Sequence, residues 1–247
     1  MRWLIFLFCW PLALFGEKET VVLLHGLAAT SGTMGHIERT LEAEGYRVVN
    51  IDYPSMSQSL DELAVHVRAD IVRETADAKR IDFVTHSMGG ILLRMIERDN
   101  PLPEIGRVVM ISPPNQGSMA VNLLADMPGA KLLIGPAGMA LASGENEQLQ
   151  SLKPATFEVG VIAGSLGLDP FMSSLIPGAD DGVISVESTK LEGMTDFTIV
   201  HETHPMLVFN GEVMDQTTAF LKTGKFLPQV EQVEDDNPWM RNWTHRQ

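Results

Sequence analysis

Thr85-His86-Ser87-Met88-Gly89-Gly90 stands between a short run that reads as a strand, Ile81-Asp82-Phe83-Val84-Thr85, and a helical stretch over residues 91–98. A serine hydroxyl is a weak nucleophile until a base removes its proton and nearby donors hold the oxyanion. A tight strand-to-helix turn serves both needs. It lifts the hydroxyl clear of the sheet edge and aims a helix N-terminus at developing negative charge. The residues flanking such a serine must be small, because the backbone there is strained, and Gly89 and Gly90 satisfy this. Thr85 departs from the G-x-S-x-G form. A glycine-rich helix start with an incidental serine is the plain alternative.

Working outward, short β-branched runs alternate with helical periodicity. Residues 20–24 and 47–51 read as strands, and so do 81–85, 108–111, 157–162 and 197–200. Met34, Ile37 and Leu41 recur at helical spacing before Gly45; Leu60, Leu63, Val67 and Ile71 do so after Ser59 and Glu62, a capping-box pair. A last amphipathic helix covers about 212–221. Apolar strands interleaved with helices predict an α/β fold with a mostly parallel central sheet and helices on both faces. Residues 117–152 are less regular, broken at Pro128-Gly129 and Gly135-Pro136 with Leu132-Leu133-Ile134 between. They read as a small helical insertion, either a lid over a site or ordinary packing on the sheet.

Composition narrows the function. The chain has 247 residues, a length suited to one generous domain, with 45% hydrophobic residues to fill a core. Its 18 basic and 32 acidic residues give a formal net charge of −14, which argues against a nucleic-acid partner because phosphate binding needs a basic surface. Cys9 is the single cysteine, so an internal disulfide and a cysteine-based zinc cluster are both excluded.

Met1-Arg2 is followed by an uncharged, mostly apolar run over 3–16, which Glu17-Lys18-Glu19 ends. A membrane-spanning helix needs about 20 apolar residues, so this run has the dimensions of a signal peptide. Gly16 suits the last position of a cleavage site, but Leu14 stands where a smaller residue is favoured, and Phe8 before Cys9 does not suit a lipoprotein. A cleaved export signal is the reading adopted; an uncleaved membrane anchor or a buried first element are the alternatives. The expected layout is a leader at 1–16, a catalytic domain at 17–226 and an acidic extension at 227–247.

Val22-Leu23-Leu24-His25-Gly26-Leu27 reads as a strand ending in a loop whose glycine lets a backbone N–H, that of Leu27, turn toward the serine; the second donor would be the N–H of Met88. Taken alone, His25 suits a structural hydrogen-bonding role equally well. The acid and base are expected downstream in the order Ser, Asp, His. Asp180-Asp181-Gly182 supplies the acid, and His204 lies between the strand ending at Val200 and the last helix, where an imidazole can fold back over the serine. His201 sits nearer the strand and suits local hydrogen bonding.

Ala163-Gly164-Ser165-Leu166-Gly167 is a second serine in similar spacing, but Pro170 follows closely and argues against the helix an elbow needs. His201-Glu202-Thr203-His204 is not H-E-x-x-H, because its histidines are three apart. Met34, Met88, Met139 and Met172 could line an acyl pocket, although methionines more commonly fill a core.

Together, His25-Gly26, Ser87 in its His-Ser-Met-Gly setting, Asp181-Gly182 and His204 resemble the α/β-hydrolase superfamily, and within it bacterial lipase-like serine esterases. Residues 112–118, Ser-Pro-Pro-Asn-Gln-Gly-Ser, are similar to a Pro-x-x-Gly-Ser segment of those lipases, and residues 177–183 to their acid loop. The resemblance covers roughly residues 19–226. It implies an α/β-hydrolase fold, a triad of Ser87, Asp181 and His204, and an oxyanion hole at Leu27 and Met88, with Asp181 preferred over Asp180 by its glycine neighbour.

The expected activity is cleavage of small-molecule or lipid carboxylic esters by an exported enzyme that requires no metal or organic cofactor, with transient contact at a lipid surface. Acyl transfer or thioester cleavage by the same triad, and a non-catalytic scaffold binding an apolar ligand or a protein, are the rivals. A histidine base predicts activity that falls below about pH 6–7.

Overall fold

The computed structural model describes residues 18–229 other than 126, 145–146 and 168–169. Residues 1–16, expected to be a leader, and residues 230–247 of the expected extension therefore lie outside the described residues. Strands β1 (Thr20–Leu24), β2 (Arg47–Ile51), β3 (Ile81–His86), β4 (Ile105–Ile111), β5 (Val159–Gly164) and β6 (Asp196–Val200) form one sheet in the order β2-β1-β3-β4-β5-β6, and every pairing is parallel. From β1 the chain moves outward to β2 and then returns to β3 on the other side. The strand order reverses there, and in an open parallel sheet the crevice for a ligand lies at the carboxyl ends of the strands at that switch point.

All of β1, β3 and β5 is buried, which explains why they read as near-continuous apolar runs. Their side chains divide by parity. Val22, Leu24, Phe83, Val108, Met110, Val159 and Val161 enter one core with the apolar faces of helices α2 (Leu60–Glu74) and α3 (Met88–Asp99). Val21, Leu23, Val84, Val109, Ile111 and Ile162 enter the other with helix α1 (Gly35–Ala43) and the C-terminal helix (Gly211–Thr223). Helices thus cover both faces, as the alternation predicts.

Local signals do what their chemistry requires. Ser59 Oγ accepts from the Glu62 N–H while the Glu62 carboxylate takes the Ser59 N–H, closing the capping box that starts α2. The C-terminal helix ends at Gly224 with φ +74°, a left-handed conformation that glycine adopts without strain.

The insertion holds α4 (Met119–Ala125), α5 (Ala130–Met139) and α6 (Glu147–Gln150). Val121, Ile134, Ala137, Leu141, Leu149 and Leu152 pack into the α2/α3 core, while Leu132 and Leu133 face outward. Gly135, at φ +65° before Pro136, kinks α5 where its backbone meets the carbonyl of Met56. Among the described residues no helix is long and apolar enough to cross a membrane.

Candidate active site

Ser87 sits at the carboxyl end of β3 with φ +53° and ψ −123°, a conformation that costs a side-chain-bearing residue about 1–3 kcal/mol. Its N–H bonds the Ile111 carbonyl at 2.8 Å and its carbonyl accepts from the Gly90 N–H at 3.0 Å, so the turn is pinned from β4 and from α3. The glycines have specific geometric reasons. A Cβ on Gly89 would lie 2.5 Å from the Leu24 carbonyl oxygen and 2.8 Å from that of His25, so α3 could not lie against β1. A Cβ on Gly90 would lie 3.2 Å from Thr85 Oγ1. Thr85 therefore takes the place of the missing motif glycine because Gly90, on the facing turn, leaves room for its side chain.

The loop after β1 approaches equally closely, since a Cβ on Gly26 would be 3.1 Å from Ser87 Cβ. His25 is fully buried, donates Nδ1–H to the Gly26 carbonyl at 2.9 Å and accepts the Tyr53 N–H on Nε2 at 3.3 Å. Tyr53 stacks on the ring at 3.9 Å and its hydroxyl donates to the His25 carbonyl. Burial pushes the His25 ring below its ordinary value, in keeping with this neutral tautomer. His25 thus shapes the loop and takes no part in the Ser87 hydrogen-bond chain. Leu27 follows in the turn, its side chain against Gly138 of α5, and Met88 is the first residue of α3, where an N–H has no acceptor within the helix.

His204 and Asp181 arrive from the far side. His204 Nε2 lies 3.0 Å from Ser87 Oγ, and Nδ1 lies 2.7 Å from Asp181 Oδ2. The carboxylate only accepts, so the proton is on Nδ1 and Nε2 is open to the serine hydroxyl. The His204 N–H also bonds the Asp181 carbonyl at 2.9 Å, locking the two segments together.

Burial alone would push the Asp181 carboxyl up. The His204 ring beside it, the hydrogen bonds from His204 and Ser112, and the Ile184 N–H outweigh burial and hold it below the usual carboxylate range. Asp180 instead accepts from the Gly182 N–H at 2.7 Å and from Ser173 Oγ at 3.0 Å. His201 Nδ1 lies 3.3 Å from Ser165 Oγ on the exposed side of β6. Near Ser165 no helix follows the serine directly, as Pro170 predicts, although a short helix α7 (Pro170–Leu175) forms further on. Proline opens it at the first position, where no N–H is required. Residues 165–167 are not helical, so α7 does not follow Ser165 as α3 follows Ser87. Met34 and Met88 are fully buried core residues, and Met139 packs partly buried against the core.

Three contributors have no role assigned to them by the motifs. Ser112, at the end of β4, donates Oγ–H to Asp181 Oδ2 at 2.5 Å. Gly164, at the end of β5, allows the acid to approach, since a Cβ there would lie 2.7 Å from Asp181 Cβ. His86 packs its ring 4.9 Å from that of His204 and donates Nε2–H to the His204 carbonyl at 3.2 Å. Only its place beside Ser87 marks it in the sequence.

Burial, and then the neighbouring His204, push the His86 ring down to about 3 from an ordinary 6.5. The unfolded chain therefore takes up this proton first as the medium acidifies. Stability contributed by neutral His86 is complete above about pH 6.5 and is lost progressively toward pH 3, on the order of 3 kcal/mol by pH 4. Urea midpoints measured from pH 7 to pH 4 are expected to fall steeply in the wild type and more gently in His86→Gln. Equal slopes would contradict the buried neutral ring.

Residues 21–205 match the family model described as the alpha/beta hydrolase family. The chain belongs to that family. The parallel six-stranded sheet with helices on both faces is the fold this alpha/beta hydrolase was expected to have. Among solved structures it is similar to the mature lipase BlEst2 of Bacillus licheniformis, with a TM-score of 0.65 and 16% identity over 84% of this chain and 92% of that one. It is also similar to the phospholipase PlaB of Legionella pneumophila, at 0.64 and 18% over 85% of this chain and 57% of that one. The metagenomic carboxyl esterase MGS0156 follows at 0.57 and 19%, over 77% and 65% of the two chains. At these identities the likeness is one of fold. No curated protein matches this hydrolase-family chain in sequence.

Proposed function

We propose that the chain is a serine hydrolase that cleaves carboxylic esters through an acyl-enzyme. One observation carries the reading: a continuous hydrogen-bonded series from Ser87 Oγ through both ring nitrogens of His204 to Asp181 Oδ2, at 3.0 and 2.7 Å, at the sheet's switch point. The lipase, phospholipase and carboxyl esterase named among the similar folds support the choice of ester as substrate.

In this reading Ser87 Oγ attacks the acyl carbon as its proton passes to His204 Nε2, and Asp181 steadies the resulting imidazolium. The backbone N–H groups of Leu27 and Met88 take the oxyanion. His204 then returns the proton to the departing alkoxide. Water, deprotonated by the same nitrogen, attacks the acyl-enzyme and releases the acid, leaving Ser87 protonated again. Every proton moves between groups of the chain, substrate and water.

The test is turnover of a nitrophenyl ester series from acetyl to palmitoyl, followed on a millisecond scale. A burst of nitrophenolate stoichiometric with enzyme, then steady hydrolysis, is the expected result. The acyl length with the highest kcat/KM separates esterase from lipase behaviour. Absence of release from every ester would overturn the reading.

A further inference from the structure

We propose that Ser112 is a positioning residue of the same series, holding Asp181 in line with His204 without touching substrate; the inference rests on the serine-hydrolase reading. Asp181 has four donors and each is accounted for. Oδ1 accepts the backbone N–H groups of Val183 at 3.0 Å and Ile184 at 2.8 Å, while Oδ2 accepts His204 Nδ1 at 2.7 Å and Ser112 Oγ at 2.5 Å. Ser112 and His204 are thus the two side chains that share one oxygen, and Ser112 arrives from a neighbouring strand of the rigid sheet.

The backbone at Ser112 makes the case stronger. Its φ is +45°, a left-handed value that glycine adopts freely and a residue with a Cβ adopts at a cost. The residue is fully buried and its N–H bonds the Ile162 carbonyl at 2.7 Å, so the conformation is fixed by the β4–β5 junction. Glycine would relieve the strain but would remove the hydroxyl. The residue present bears the strain and delivers an O–H donor to the carboxylate.

Two consequences follow from losing that donor. Oδ2 is less firmly fixed, so the imidazole is less well aimed at Ser87. The carboxylate also keeps more charge on Oδ2 and pulls harder on the imidazole proton, so the acid limb of the rate profile moves to higher pH. A hydrogen bond to a charged group is worth enough that even a fraction of it lost at the transition state lowers kcat about 10-fold.

The experiment compares wild type, Ser112→Ala, Ser112→Gly and Ser112→Cys, measuring kcat, KM, the kcat/KM–pH profile and the low-field proton resonance of His204 Nδ1–H. Ala and Gly are expected to lower kcat about 10-fold with KM unchanged, to raise the acid limb and to shift the resonance, whereas Cys, a weak donor of the same shape, recovers part of each. Ser112→Gly removes the strain, so it judges the proposal even where Ser112→Ala folds poorly. A Gly variant with wild-type kcat, profile and resonance overturns the proposal. If the wild type turns over no ester, the hydrolase reading fails on that result, and the resonance alone then decides whether Ser112 holds Asp181.

Discussion

Ser87→Ala is expected to lower kcat by about 10⁴- to 10⁶-fold while leaving the fold intact, because the hydroxyl is the atom that bonds to substrate and nothing nearby replaces it. The neighbouring hydroxyl of Thr85 is buried at the back of the turn against Gly90, and Ser165 pairs with His201 instead. A companion substitution reads a different quantity. At φ +53° and ψ −123° the Ser87 backbone is strained, and Ser87→Gly removes that strain along with the hydroxyl. Relief of about 1–3 kcal/mol outweighs the roughly 0.4–1 kcal/mol of extra chain entropy that glycine gives the unfolded state. The Gly variant should therefore be as inactive as the Ala variant yet melt at a higher temperature. Equal melting would mean that the turn stores no strain.

Asp181→Asn is expected to lower kcat by about 10⁴-fold with little change in KM. The Val183 and Ile184 N–H groups require an acceptor, so the amide oxygen takes the Oδ1 place and the NH₂ faces His204 and Ser112. Facing a donor, the imidazole moves its proton to Nε2 and can no longer accept the serine proton. The same variant changes the response to acid. The native carboxyl is held below its ordinary value, so its contribution to stability is present above about pH 4 and is lost as pH falls through the lower folded value. Urea unfolding of Asp181→Asn should thus lose less stability below pH 4 than the wild type. His86 begins to act at higher pH, from about 6.5 down to 3, so above about pH 4 its contribution is read apart from that of Asp181.

Much of this arrangement is legible in the sequence because single residues decide it. The apolar run at 20–24 has no polar face to solvate and reads as an interior strand of a parallel sheet, and 81–85, short and bounded by the Ser87 turn, reads as its neighbour despite Asp82 and Thr85. Ser87 followed by Gly89 and Gly90 marks a strand-to-helix turn, and the contacts a Cβ would make with the Leu24 and His25 carbonyls show why those glycines are needed. His204 was separable from His201 because the segment beyond Val200 must fold back over the sheet edge, whereas His201 stays beside the strand.

What was hidden depends on contacts between distant strands. Ser112 meets Asp181 across 69 positions, and His86 meets the His204 carbonyl across 118; the resemblance at 112–118 marks the segment of Ser112, but no local pattern announces either contact. The start of β4 at Ile105 was missed because Gly106 and Arg107 interrupt the apolar run; Arg107 pairs its N–H with Asp82 and its guanidinium with Glu158, which makes a polar residue at home at that strand end. Pro170 speaks against a helix running on from Ser165, and none does, but the same proline opens the short helix α7, which no periodic pattern announces.

The central claim is that Ser87 is the nucleophile, activated by His204. It is tested most directly by treating the wild-type chain with a fluorophosphonate, which forms a stable adduct with an activated serine, and mapping the adduct by mass spectrometry. Tryptic cleavage after Arg80 and Arg94 isolates residues 81–94, in which Ser87 is the sole serine. The expected result is one phosphonyl group on that peptide, absent from Ser87→Ala and strongly slowed in His204→Gln. An adduct on the peptide carrying Ser165, or an unmodified 81–94 peptide after prolonged exposure, would contradict it.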